Sequence, residues 1–317
     1  MRRANELAMA FSDLAGLATG LCLGASSLYL RIAMRSEPIA KVIWFVAVFG
    51  VATLGPWAIP SLLAALSKEP VAWSGLLLFL AAGLSGQVIG RAFLYSCIAQ
   101  IGPSLGTAYK NAVPLITALF AWTVLGERVT APAAFGIGAV VSGIFVIALF
   151  QARPSYRPAP GVPVAAAREG AFVKLPPGLA LGIGAVLFYA ASDLLRKGGM
   201  DVLPSPILGA WLGNLLTFAV ISAHLVVTKR LPGLASWNRG ALGALLVASA
   251  FITAGYVLFL VGVAAAGVAV TSALAAVEPL AALAVGKAFY RDQEPITPRQ
   301  IPGVVLVVAG VALILAG

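Results

Sequence analysis

The sequence predicts an all-α integral membrane protein, with ten transmembrane helices built as two inverted five-helix repeats around a central cavity. Three observations carry this expectation. Of 317 residues, 61% are hydrophobic and only 10% are charged, against roughly a quarter charged in an ordinary soluble domain. The apolar residues are gathered into ten runs, each close to the length needed to cross a hydrocarbon core of about 30 Å. The second half of the chain also repeats a spaced pattern of Gly, Pro, Glu and Thr found in the first.

The ten runs lie at 10–33, 41–64, 73–98, 104–125, 130–150, 177–198, 205–228, 239–264, 267–289 and 299–316. The first follows a basic start, "MRRANELAMAF", in the manner of a secretion signal. It is nevertheless of spanning length and leads straight into further spans, so it reads as a retained helix. Breaks follow at "SEP" after the first run, "SKEP" after the second, "IGPS" after the third and "VLPSP" after the sixth. Proline suits a helix start because the N–H it lacks would have no intrahelical partner there. The longest polar stretch, "QARPSYRPAPGVPVAAAREGAFVKLPP", is rich in proline and basic residues. It reads as a linker over 151–176, between a first repeat at 1–150 and a second at 177–317.

The repeat is visible residue by residue. Gly102 and Pro114 recur as Gly267 and Pro279, 165 positions on. Glu127, Thr130, Gly136 and Gly143 recur as Glu294, Thr297, Gly303 and Gly310, 167 positions on, the two extra residues falling in "FYRDQE". A unit of five helices is odd, so its second copy enters the membrane from the opposite side. Inverted repeats of this kind organise many secondary transporters, whose substrate sites lie near the midplane at the repeat interface.

At these residues the chain resembles a known family. "PLITALFAWTVLGERVTAPAAFGIGAVVSGIFVI" is similar to the end of an EamA repeat of the drug/metabolite transporter superfamily. "EPLAALAVGKAFYRDQEPITPRQIPGVVLVVAGVALI" is similar to its second copy, with "FYRDQEPIT" where the family more often reads Leu-Gly-Glu. The resemblance covers nearly the whole chain. It implies a basket-like carrier with a central cavity that exports or exchanges small metabolites: amino acids, drugs, nucleotide sugars or phosphorylated sugars. Amino-acid-like solutes head the candidates, with movement by alternating access. The alternative is uptake or flipping of a phosphorylated or lipid-linked anion. The expected setting is the inner, cytoplasmic membrane, as a monomer or homodimer in contact with lipid and with protons as an optional coupling ion.

Composition narrows the other classes. The net charge of +10 is dispersed in short clusters between apolar runs, which is the pattern of charges that orient membrane proteins, so nucleic acid is not an expected partner. Cys22 and Cys97 lie inside apolar runs and form no disulfide framework. There is one histidine, His224, no H-E-x-x-H, no paired metal spacing and no phosphate-binding Gly loop after a strand, so no enzyme, metal or cofactor is expected. Two orientations stay open. One face carries Arg35, Lys41, Arg153, Arg157, Arg168, Lys174, Lys229, Arg230, Arg239, Lys287, Arg291 and Arg299 and is richer than the face with Arg2, Arg3, Lys68, Arg128, Arg196 and Lys197. The positive-inside rule then places both termini outside, whereas the family resemblance implies termini in the cytoplasm.

An ionisable group at the centre of a spanning helix costs about 2.5–3.5 kcal/mol on insertion scales and marks a functional position by default. Gln87, Arg91 and Tyr95 recur every four residues in the third run and are expected on one face of it; Tyr256 is the repeat equivalent of Arg91. Lys110 and Asn111 stand one turn before Pro114, and Glu278 directly precedes Pro279. Proline there breaks an i to i−4 bond and creates a point of bending. With Trp211, these residues form the expected substrate-binding set. A Lys110–Glu278 ion pair across the repeat interface is geometrically open, and it competes with a reading in which Glu278 takes up a proton or meets a substrate amine. Trp44 and Trp122 are further cavity candidates, and Trp57, Trp73 and Trp237 are expected at the membrane interfaces. Asp193 is expected to pair locally with Arg196 and Lys197 at the membrane edge. Glu127 and Glu294 are expected to cap the helices that follow them, and "GLSGQVIG" to allow close helix packing.

Overall fold

Glycine and small residues set the packing of this chain, because helices in lipid gain little by burying apolar surface against one another and rely on close backbone approach. The computed structural model describes residues 2–34, 36–67, 72–101, 109–149, 177–229, 237–282 and 298–316. Among these the chain is helical throughout: α1 (Arg2–Ala33), α2 (Ile39–Leu66), α3 (Trp73–Ala82), α4 (Arg91–Ile101), α5 (Val113–Leu125), α6 (Ala131–Leu149), α7 (Pro177–Val202), α8 (Pro206–Val227), α9 (Arg239–Ala266), α10 (Val268–Ala275) and α11 (Ile301–Ala316). A π-helical segment, Gly83–Gly90, joins α3 to α4 into one continuous helix, so the described residues form ten long helical segments. By length and composition four are apolar enough to cross a membrane on their own, and shorter apolar helices accompany them.

The packing obeys the two-fold swap that an inverted repeat requires. In the first repeat the spans are α1, α2, α3–α4, α5 and α6; in the second they are α7, α8, α9, α10 and α11. α1 packs along α9, and α7 packs in the same way along α3, the π segment and α4. α1 also meets α10, matched by α7 against α5; α2 meets α9, matched by α8 against α3. α2–α8, α5–α10 and α6–α11 are self-matched pairs on the axis. The glycines recognised in sequence serve the last of these. A Cβ on Gly136 would stand 2.6 Å from the Gly310 carbonyl oxygen, and one on Gly143 would stand 2.5 Å from that of Gly303. These two contacts exchange under the repeat.

A second small-residue stripe went unremarked in the sequence. Gly16, Gly20 and Gly24 recur every four residues on α1 and abut Leu274, Val277 and the Glu278–Ala282 backbone. The large apolar side chains left outside, such as Phe135 at 76% exposure on α6, make a lipid-facing rim.

Two helix ends depart from expectation. Gly126 adopts the left-handed conformation (φ 66°) that closes α5, with the Glu127 N–H donating to the Ala121 carbonyl at 3.0 Å. That closure aims Glu127 away from α6. Its carboxylate accepts from the Val268 N–H at 3.1 Å and the Ala269 N–H at 3.3 Å, so it caps α10 in the opposite repeat. The start of α6 is served instead by Thr130, whose hydroxyl accepts from the Ala133 N–H at 3.3 Å. Glu294 lies outside the described residues.

At one end of the bundle, the α1–α2 connection is tied to the start of α9. The Lys41 ammonium donates to Glu37 at 2.6 Å and sits 4.0 Å over the Trp237 ring, and the Asn238 N–H donates to Glu37 at 3.0 Å. Burial works against the Glu37 carboxylate, but the bonds from Lys41 and Asn238 outweigh it and hold its carboxyl below the usual carboxylate range. A carboxyl whose pKa falls on folding adds stability above its unfolded pKa and loses it as pH falls through the folded one. Glu37→Gln is therefore expected to cost about 1 kcal/mol at neutral pH and nothing in acid. Melting curves of both proteins across pH check this, and a gap that persists in acid would refute it.

Candidate functional site

The site begins with two matched interruptions. Helix geometry gives way to a turn at Asn111–Ala112 before α5 and again at Ala276–Val277 after α10, and these positions are repeat equivalents, 165 residues apart. Each lies two residues before a proline, Pro114 or Pro279, whose missing N–H leaves the carbonyl four residues back without its helical partner. The bends expected from sequence are present in both copies.

The residues that differ between the copies meet at these bends. Lys110 donates to both carboxylate oxygens of Glu278 at 2.7 Å each. The side chains are 35% and 21% exposed, so the pair borders accessible space and is not sealed in the core. Lys110 is matched by Ala275 in the other copy and Glu278 by Val113, so one polar pair and one apolar pair straddle the axis.

Arg91 and Tyr256 also meet. The guanidinium donates to the Tyr256 hydroxyl at 2.9 Å. Residues that a two-fold axis exchanges can touch only beside that axis, so this bond marks a point on it. Ser249, Thr253 and Tyr256 lie on one face of α9, at i, i+4 and i+7. The hydroxyls of Ser249 and Thr253 are buried without a hydrogen-bond partner.

The other expected residues separate from this group. Gln87 and Arg91 do not share one face, because "GLSGQVIG" is π-helical and its wider turn changes which residues line up. Gln87 is buried against α8, where it accepts from the Thr217 hydroxyl at 3.2 Å, while Arg91 faces α9. The Tyr95 side chain lies outside the described residues. The π segment does pack closely, as its glycines imply: Gly83 abuts Gly213 and Gly86 abuts Ser192. Asn111 lines a recess of ≈ 280 Å³ with residues of α6, including Ser142 and Phe145. Trp211 sits in the core, its indole N–H donating to the Val51 carbonyl at 3.1 Å. Trp122 is 64% exposed on the outer surface, and Trp44 donates to Ser222 at 2.9 Å. Trp57 and Trp73 are exposed, as interfacial anchors are.

Asp193 is the residue that sequence reasoning underrated. It lies nine residues before the end of α7, about 13 Å along the helix, and it is buried. Its Oδ1 accepts from Arg196 at 3.3 Å, while Lys197 turns away to pair with Asp201. Its Oδ2 accepts from the Thr117 hydroxyl of α5 and the Ser272 hydroxyl of α10, each at 3.2 Å. Arg196 in turn lies 5.2 Å from the Tyr256 ring centroid and 5.5 Å from that of Phe259. A polar chain thus runs from α5 and α10 through Asp193, Arg196 and Tyr256 to Arg91. The signal available in sequence was the rarity of a carboxylate inside a span; the adjacent Arg196 and Lys197 masked it.

Comparison with known proteins follows the same division of the chain. The model of the EamA-like transporter family matches residues 10–149 and again 176–316. No curated protein matches. A crystal structure of another protein is similar with a TM-score of 0.69 and 17% identity, over 95% of each chain, a likeness that speaks to the fold alone.

Proposed function

The chain belongs to the EamA-like transporter family, a family of multi-pass membrane transporters, and from that premise we propose that it carries a small zwitterionic, amino-acid-like metabolite. Movement is by alternating access of the two repeats, as export or exchange across the cytoplasmic membrane. The single observation that supports this class of solute is the half-exposed Lys110–Glu278 pair at the repeat interface. A zwitterion brings the same two charges. Its ammonium takes over Glu278 and its carboxylate takes over Lys110, so the pair opens without leaving either charge uncompensated, the outcome that would be expensive away from water. Arg91, bonded to Tyr256, is a further contact for the solute's carboxylate. A phosphorylated anion satisfies only half of this arrangement, since Glu278 repels it.

Counterflow of labelled amino acids in proteoliposomes tests the proposal. Zwitterions are expected to exchange, and N-acylated or carboxyl-amidated analogues to show a KM raised roughly 10- to 100-fold, the worth of one charged hydrogen bond. Glu278→Gln is expected to impose the same loss for the zwitterion but not for the N-acylated analogue. Better competition by phosphorylated solutes would replace this reading with the anionic one.

A further inference from the structure

The buried Asp193 cluster is not needed to hold a zwitterion, yet it fastens the two repeats together at their moving seam. We propose that Asp193, and not Glu278, is the carboxylate that takes up and releases a proton during transport; this rests on the reading of the chain as a carrier.

The chemistry of the partners separates the two carboxylates. Glu278 is held by an ammonium, which can only donate. A proton on Glu278 would leave Lys110 with unmet donors and no counter-charge. Asp193 Oδ2 is held by two hydroxyls, which can donate or accept. When a proton binds Oδ2 to form an O–H bond, one hydroxyl turns to accept it and the other is left with the weaker acceptor of a neutral acid. Arg196, losing its counter-charge, retains the faces of Tyr256 and Phe259, which attract a cation. The cluster therefore exists in two protonation states with Arg196 held in each, and it differs between them in the bonding at Oδ2, where the Thr117 bond crosses between the repeats and the Ser272 bond lies within the second. No further bond changes: the proton comes from water on one side and returns to water on the other.

The placement links this event to the solute. α5 and α10 run antiparallel, touching through Lys110–Glu278 at one point and through Thr117–Asp193–Ser272 at another. Seven residues from Lys110 to Thr117 and six from Ser272 to Glu278 separate the two clasps, with one of the two turns in each interval. The turns at Asn111–Ala112 and Ala276–Val277 lie between the clasps, so a bend that opens one clasp shifts the helix that holds the other, and proton and solute binding are coupled free energies that act reciprocally. No other acid or base competes for the proton at this point. Among the described residues, α3, the π segment, α5, α8 and α10 bring no acidic or basic side chain to Asp193. The nearby groups are Arg196 and Tyr189 on its own helix, Tyr256 on α9 and, behind Tyr256, Arg91 on α4. The repeat shift of 165 puts Leu28 at the position of Asp193, so the first copy has no second such carboxylate.

Reconstituted full-length protein tests this with two readouts. In the first, an imposed pH gradient drives accumulation of a zwitterion, and counterflow is measured without a gradient. Asp193→Asn is expected to lose gradient-driven accumulation, while its slower counterflow no longer varies with pH; Asp193→Glu restores some accumulation, and Glu278→Gln keeps a pH-dependent residual flux. In the second, hydrogen exchange of the α5 and α10 peptides is followed without any solute, with rates corrected for intrinsic pH dependence. Mild acid is expected to lower protection severalfold in the wild type and not in Asp193→Asn. Absence of zwitterion counterflow in the wild type would sink the solute assignment while leaving the second readout in force. Equal acid responses in wild type and Asp193→Asn, or gradient-driven accumulation surviving in Asp193→Asn, would overturn the proton assignment.

Discussion

Lys110→Ala is expected to destabilise the purified protein by about 2 kcal/mol and to bring solute exchange to the background of empty vesicles. The figure lies between the 0–1 kcal/mol of an exposed pair and the 3–5 kcal/mol lost when one partner of a fully buried pair is removed. It is placed there because Lys110 and Glu278 are 35% and 21% exposed. Most of the cost is the charge left behind on Glu278, not the attraction lost. Lys110→Ala combined with Glu278→Ala should therefore recover much of the stability, while transport stays at background because both solute contacts are gone. Melting curves of the two single variants and the double variant give the coupling energy directly. Additive losses would mean that the two charges do not meet in the working protein.

Gly24→Val is expected to cost about 3 kcal/mol, the upper end for overpacking a fitted interface, and to impair exchange as well. A Cβ on Gly24 would stand 2.4 Å from the Glu278 carbonyl oxygen and 2.8 Å from the Ala282 nitrogen. Backbone atoms cannot swing aside as a flexible side chain can, so α1 and α10 must part and carry Glu278 away from Lys110. Gly138→Val is the matched control, because nothing stands within 4 Å of a Cβ at that position. Thermal stability and counterflow should fall for the first substitution and barely move for the second. Equal effects would show that helix propensity, not contact, governs both.

How far the sequence could be read depended on the scale of the feature. Spans were legible because crossing lipid demands a run of apolar residues whatever lies beside it, and the repeat because matched glycines and prolines survive in matched places. The bends were legible for a related reason, since Pro114 and Pro279 act locally on their own helices; the repeat brought Lys110 and Glu278 to comparable depth but left their pairing open. Partners chosen in three dimensions were not. Glu127 precedes a helix start and was assigned to it, but the left-handed Gly126 directs it to α10 instead. The four-residue spacing of Gln87 and Arg91 implies one face only in a regular helix, and the π segment cancels that periodicity. Asp193 had Arg196 and Lys197 within one turn, and local pairing was the economical reading.

By itself, then, the sequence determined the class of molecule, its two copies, the positions of the bends and the charges that interrupt them. These follow from chain-local physics: the cost of polar atoms in lipid, the missing N–H of proline and the periodicity of a helix. Only the tertiary structure decided which charges meet, that Asp193 joins both repeats, and that Arg91 and Tyr256 touch beside the axis. The reason is physical. A side chain's partner across a helix interface is set by the rotation and depth of two helices together, and a π-helical turn or a left-handed glycine changes that rotation for every residue that follows.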